Sequence, residues 1–148
     1  MRKMDHKQII KLYEVHETEH SLYLVLEPLT GGELVKKMKE KPYYGQDDVT
    51  RIMKNLLEAL EHIHAKGIMH RDLKLENLLL RTEKDIDVVV VDFGLATTLG
   101  LPVKDILFKR CGTPGFVAPE VLSYKDGCEE FYDEKCDIFS AGVILFIL

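Results

Sequence analysis

Asp72, Asn77 and Asp92 are three oxygen-bearing side chains next to apolar runs, the first two within HRDLKLENLLL and the third opening DFG. Carboxylate and carboxamide oxygens suit a hard cation, and Mg²⁺ in particular takes such ligands while keeping part of its water. A cation held in this way commonly accompanies phosphate. Chemistry on a phosphate therefore requires these three residues to converge, and the surrounding elements must bring them together.

The flanking patterns supply those elements. IIKLYEV (9–15) and SLYLVLE (21–27) are rich in aliphatic and aromatic residues on either side of the polar HETEH, which predicts a hairpin of two strands. TGGEL breaks the pattern, and a short helix is expected over 34–40 before a turn at Pro42. From Val49 onward, Ile52, Met53, Leu56, Leu57, Leu60 and Ile63 recur at steps of three and four, the signature of one helical face. Asp47 and Asp48 favour the positive N-terminus of that helix, and Gly67 can end it. LLL (78–80) and IDVVVV (86–91) flank the charged RTEKD and should pair as strands. Asp72 and Asn77 then lie in a loop between the long helix and a strand, and Asp92 follows the next strand. Residues 97–119 contain glycine and proline with little periodicity, and loops of that length are usually functional.

Composition excludes several alternatives. The 148 residues, 46% hydrophobic and 30% charged, fit one soluble globular domain with a core. With 25 acids against 20 bases, the net charge of -5 gives no general attraction to nucleic acid or anionic lipid, so neither is expected as a partner. Cys111, Cys128 and Cys136 are odd in number and lack zinc-ligand spacing, which points to a reducing, intracellular and cytoplasmic setting. MRKMDHKQII has no apolar run of signal-peptide length, and 138–148 is shorter than the ~20 residues of a membrane span. That last run is expected to be a buried core helix.

His-Arg-Asp at 70–72, Asn77, Asp-Phe-Gly at 92–94 and Ala-Pro-Glu at 118–120 follow in an order that resembles the eukaryotic protein kinase signature set. Ten such residues would fall into place by chance on the order of once in 10¹³ placements. The resemblance covers essentially the whole chain and implies an α+β, protein-kinase-like fold. Residues 1–26 would be the end of the small lobe, 27–33 the hinge region, and 34–148 the N-terminal half of the helical large lobe. By position, Asp72 would orient a substrate hydroxyl and accept its proton, and Lys74 would neutralise charge on the transferred phosphoryl group. Asn77 and Asp92 would hold Mg²⁺ on the phosphates of ATP. Leu26 would be the gatekeeper and Glu27 to Leu29 the backbone that meets adenine, with Leu79 also on the cofactor side. Leu12, His70 and Phe93 would form part of the hydrophobic column of the active state, and Asp137 would brace the catalytic loop. Glu33 and Glu76 would flank the groove for the peptide before the acceptor, where a carboxylate pair suits arginine. The alternative is that Glu76 caps the catalytic loop and Glu33 starts a solvated helix.

Lys74 together with Thr113 in GTPGFVAPE resembles the serine/threonine kinases, with Thr113 expected to bond Asp72 and Lys74. IIKLYEV, TGGEL, CGTPGFVAPEVL and EKCDIFSAGVILFIL are most similar to the calcium/calmodulin-dependent and calcium-dependent protein kinases. Leu75 and Phe139 depart from the usual proline and tryptophan, and both remain apolar. The 148 residues contain no GxGxxG loop, no VAIK-type lysine and no helix carrying its glutamate partner, and the sequence stops inside an apolar run. The expectation is a partial sequence of a longer kinase, without transfer activity as residues 1–148 alone, in which Glu120 lacks its family partner. Its regulatory segment would lie outside this chain. Between Asp92 and Glu120 only Thr97, Thr98 and Thr113 carry hydroxyls, and Lys109 and Arg110 stand where a phosphate acceptor usually sits, so control without a loop phosphate is expected. The alternative function is a non-catalytic, kinase-like scaffold.

Overall fold

The computed structural model describes residues 4–40, 44–101, 106, 108–125 and 131–148. The expected turn at Pro42, Cys128 and residues 102–105 and 107 of the long loop lie outside the described residues. The architecture is α+β. Strands β1 (Leu12–Glu17) and β2 (Leu22–Leu26) form the expected antiparallel hairpin, with Glu14 opposite Val25 to Glu17 opposite Leu22 in one register and a shift between Leu12, opposite Leu26, and Glu14. The first strand begins at Leu12 rather than Ile9, a correction with a long-range cause. Ile9 makes an isolated parallel bridge with Val90, the Ile10 N–H donates to the Val90 carbonyl at 3.0 Å, and the Val90 N–H donates to Gln8 at 2.8 Å. Ile9 and Ile10 are buried there, so burial takes them out of the hairpin.

Helix α1 (Leu34–Glu40) has the expected bounds, and α2 (Gln46–Ala65) is the long helix. Its Ile52, Leu56, Ala59, Leu60 and Ile63 are buried and Met53 packs beside them. Leu57, expected on this face, is 45% exposed, because one step from Leu56 rotates it off the buried stripe. Gly67 ends the helix at φ +66°, its N–H donating to the His64 carbonyl at 2.8 Å. β3 (Ile68–Met69) leads into the loop that carries Asp72 and a 3₁₀ turn (Leu75–Asn77). Then β4 (Leu78–Leu80) and β5 (Val88–Val90) pair antiparallel as expected. β6 (Thr97–Thr98) pairs with β3, which a loop reading of 97–119 does not anticipate.

The chain closes with α3 (Pro119–Ser123) and α4 (Lys135–Ile147). The main core joins α2, β4, β5 and one stripe of α4 (Ala141, Ile144), and a second cluster joins Met69, Val121, Tyr124, Tyr132 and Cys136. α4 is not wholly buried as expected. Ile138, Phe139, Leu145, Phe146 and Ile147 are exposed, Phe146 at 91%. A helix that is apolar all round presents more apolar surface than one neighbouring stripe can cover. No helix among the described residues is long and apolar enough to cross a membrane.

Candidate active site

The loop after β3 is held from beneath by α4. Asp137, fully buried, accepts the backbone N–H of His70 (2.8 Å) and of Arg71 (2.8 Å), and Nε2 of His64 (2.9 Å). These bonds hold Arg71 at φ +67°, a left-handed conformation that a non-glycine side chain adopts only when its surroundings impose it. The same loop fixes a histidine tautomer. His70 donates from Nε2 to the Val91 carbonyl at 3.0 Å, which leaves Nδ1 to accept the Asp72 N–H at 3.3 Å. Complete burial pushes its pKa below the ordinary 6.5, against the pull of Asp137. Its ring meets Phe93 at 4.8 Å, the contact expected of that pair, and Leu12 stands opposite Leu26 in the hairpin.

Asp72 is the centre of a polar cluster. Thr113 Oγ1 donates to its Oδ1 at 2.7 Å, and Lys74 Nζ lies 3.0 Å from its Oδ2 and 3.0 Å from Thr113 Oγ1. Asn77 Nδ2 donates to the Asp72 carbonyl at 2.8 Å and to Oδ2 at 3.3 Å. With the amide nitrogen so engaged, the Asn77 side-chain oxygen remains as the acceptor of that group. Asp92 is exposed, at φ +61°, and one carboxylate oxygen accepts the Gly94 N–H at 3.2 Å. Two oxygen donors fit Mg²⁺, which binds through one or two carboxylate-type ligands plus phosphate and water. Among the described residues no group of three or more His, Cys, Asp or Glu could hold a metal by itself.

Beside Asp92 opens a cleft of about 550 Å³ lined by Ile10, Leu24, Leu26, Glu27, Leu29 and Leu79, and closed by residues 91–94. That volume and apolar lining fit a drug-sized or nucleotide-sized ligand. The segment after β2 runs against β4: Gly31 donates to Leu80 at 3.1 Å and Leu80 to Gly32 at 2.8 Å. A Cβ on Gly31 would sit 2.4 Å from the Thr82 carbonyl, so only glycine allows this approach. Among the described residues, the carbonyl of Glu27 and both backbone groups of Leu29 have no hydrogen-bond partner, which fits an adenine edge. Glu33 and Glu76 do not line this cleft. Glu33 bridges Leu79 through its backbone and pairs its carboxylate with Lys36 at 2.6 Å. Glu76 is exposed on the 3₁₀ turn, and its carboxylate has no partner among the described residues.

Arg71 turns away from Asp72 toward the long loop. Its Nε donates to the Leu95 carbonyl at 2.7 Å and its Nη1 to the Phe108 carbonyl at 3.0 Å and the Tyr132 hydroxyl at 3.3 Å. Gly112, at φ +115°, lets the loop pass the Arg71 carbonyl, which a Cβ would meet at 2.9 Å. Burial raises the pKa of the Tyr132 hydroxyl and of the Cys111 and Cys136 thiols, so all three stay protonated at neutral pH. The sequence reading missed Tyr132 and Arg81. Neither sits in a spaced motif, and each meets its partner across more than fifty residues.

The protein kinase domain family matches residues 1–148, and the chain belongs to that family. A probable myosin light chain kinase of Dictyostelium discoideum is 46% identical over 149 residues, covering 100% of this chain and 46% of that protein. Calcium-dependent protein kinase 5 of Plasmodium berghei is 43% identical over 100% of this chain and 25% of its own length. Calcium/calmodulin-dependent protein kinase type 1 of Macrobrachium nipponense is 39% identical over 100% of this chain and 41% of its own. The chain thus spans less than half the length of these relatives.

Proposed function

We propose that the protein transfers the γ-phosphoryl group of ATP to serine or threonine hydroxyls of protein substrates. The observation that carries this reading is the cluster in which Thr113 and Lys74 fix the Asp72 carboxylate beside Asn77. Asp72 orients the acceptor hydroxyl and takes its proton as the oxygen attacks the phosphorus. Lys74, bonded to Thr113 and Asp72, neutralises charge on the moving phosphoryl group, and its tie to Thr113 supports a serine/threonine class. Asn77 and Asp92 hold Mg²⁺, which when bound screens the phosphate charge. Leu26, Glu27, Leu29 and Leu79 hold the adenine, with residues 27–33 acting as the hinge between residues 1–26 and residues 34–148. Glu33 and Glu76 face the substrate peptide.

The names of the relatives favour a calcium-linked regulatory segment in the whole protein. The free thiols of Cys111 and Cys136 favour an intracellular, cytoplasmic site. The test uses the full-length protein, labelled ATP and matched peptides with Ser, Thr or Tyr as acceptor. Mg²⁺-dependent labelling of the Ser and Thr peptides is expected, together with loss of MgATP binding in Asp92→Ala. Labelling of the Tyr peptide alone, or none at all, would overturn the reading.

A further inference from the structure

We propose that Arg81 is a positioning residue for the nucleotide cleft, bolting the first hinge residue, Glu27, to the end of β4. This rests on the nucleotide reading above. Arg81 Nη1 donates to Glu27 Oε2 at 2.8 Å, and Nη2 donates to the Lys7 carbonyl. The other carboxylate oxygen of Glu27 accepts the Lys11 N–H at 3.0 Å, while the Glu27 N–H donates to the Lys11 carbonyl at 2.9 Å. Both carboxylate oxygens are therefore engaged away from the cleft, and the Glu27 side chain is only 13% exposed. What Glu27 presents to a ligand is its backbone.

The backbone of the same arginine also holds the hinge at Thr30. Its carbonyl accepts the Thr30 N–H at 3.2 Å and the Thr30 hydroxyl at 3.4 Å. Residues 27–30 are thus tied at both ends to one residue, with Pro28 stiffening the span between. A planar guanidinium can reach a carboxylate and a separate carbonyl at once, which a single ammonium point charge does less well. Arg81 itself does not line the cleft, so its influence runs through Glu27. A ligand that bonds a backbone edge already held in place loses less affinity to ordering it.

The test combines calorimetric titration with adenylyl imidodiphosphate and Mg²⁺, steady-state kinetics and amide hydrogen exchange on the full-length protein. Arg81→Met should weaken nucleotide binding about three- to tenfold, with the loss in KM for ATP rather than kcat, and Arg81→Lys should fall between it and wild type. Glu27→Gln should weaken binding similarly, and the double variant should be no worse than either single one, as for two ends of one contact. The amides of Glu27, Thr30 and Gly31 should exchange faster in Arg81→Met. Unchanged affinity in that variant overturns the positioning role, whatever the exchange shows, and unchanged protection overturns the latch. If wild-type protein binds no adenine nucleotide, the functional reading and the positioning role fail together, and the exchange result alone decides whether the latch exists.

Discussion

Replacing Asp137 by asparagine should destabilise the protein more than its distance from the cleft suggests. The carboxylate accepts three hydrogen bonds in a site with no solvent exposure. An asparagine keeps one accepting oxygen and puts an NH₂ where the second was. If the oxygen stays with the Arg71 N–H, the NH₂ faces the His70 N–H and His64. His64 can switch tautomer and accept, but the backbone N–H of His70 cannot. One charge-assisted bond, worth about 1.5–3 kcal/mol, is lost and a buried donor is left unsatisfied at a further ~1–3 kcal/mol. Part of this is recovered if Arg71 relaxes from its left-handed conformation, which itself costs about 1–3 kcal/mol. The net is about 2–4 kcal/mol, which for a domain of this size lowers Tm by roughly 4–16 °C. Thermal unfolding of full-length wild type and Asp137→Asn, followed by near-ultraviolet circular dichroism, measures it. Transfer activity at a temperature where both are folded should also fall, because Arg71 precedes Asp72. A variant that melts within about 1 °C of wild type would refute the bracing argument.

Three further outcomes follow from the same geometry. Burial lowers the pKa of His70, and burial with His6 lowers that of His62, so the unfolded chain takes up protons near pH 6.5 that the native state does not. Stability is therefore complete above that pH and is lost as the pH falls below it, by up to ~1.4 kcal/mol per pH unit for His70; equal urea midpoints at pH 7.5 and 5.5 would contradict this. For substrates, an arginine about three residues before the acceptor should raise kcat/KM several-fold, ~1 kcal/mol or more. Glu76→Ala should erase that preference more than Glu33→Ala, whose carboxylate already pairs with Lys36, and equal rates for Arg and Ala peptides on wild type would refute it. Phosphatase treatment of active full-length protein should leave most activity intact, since Arg71 already bonds the Leu95 and Phe108 carbonyls and the Tyr132 hydroxyl; loss of a loop phosphate together with most of the activity would refute that.

Local signals carried much of the fold. The bounds of α1, the buried stripe of α2, its end at Gly67 and the pairing of 78–80 with 88–90 are all written in periodicity and punctuation. The contacts among Asp72, Lys74 and Thr113 were readable because the motifs fix which residues must meet. What escaped has no local signature. β3 and β6 are two-residue strands joined across the chain, and Ile9 leaves the hairpin because Val90 offers a buried partner. Glu27 reads from sequence as a hinge residue whose backbone meets a ligand, and the pairing of its side chain with Arg81 was not legible because it is decided only when the N-terminal segment and β4 come together. Apolarity alone also misjudged α4, since a continuous run does not reveal how many neighbours cover it.

The proposed role of the Asp72 carboxylate is proton acceptance in phosphoryl transfer. Its most direct test is the rate of γ-phosphate transfer to a serine peptide by full-length wild type and Asp72→Asn at saturating MgATP, with nucleotide affinity measured in parallel. The asparagine variant should bind nucleotide within about twofold of wild type and transfer about 10²–10⁴-fold more slowly. A variant within tenfold of the wild-type rate would contradict the account.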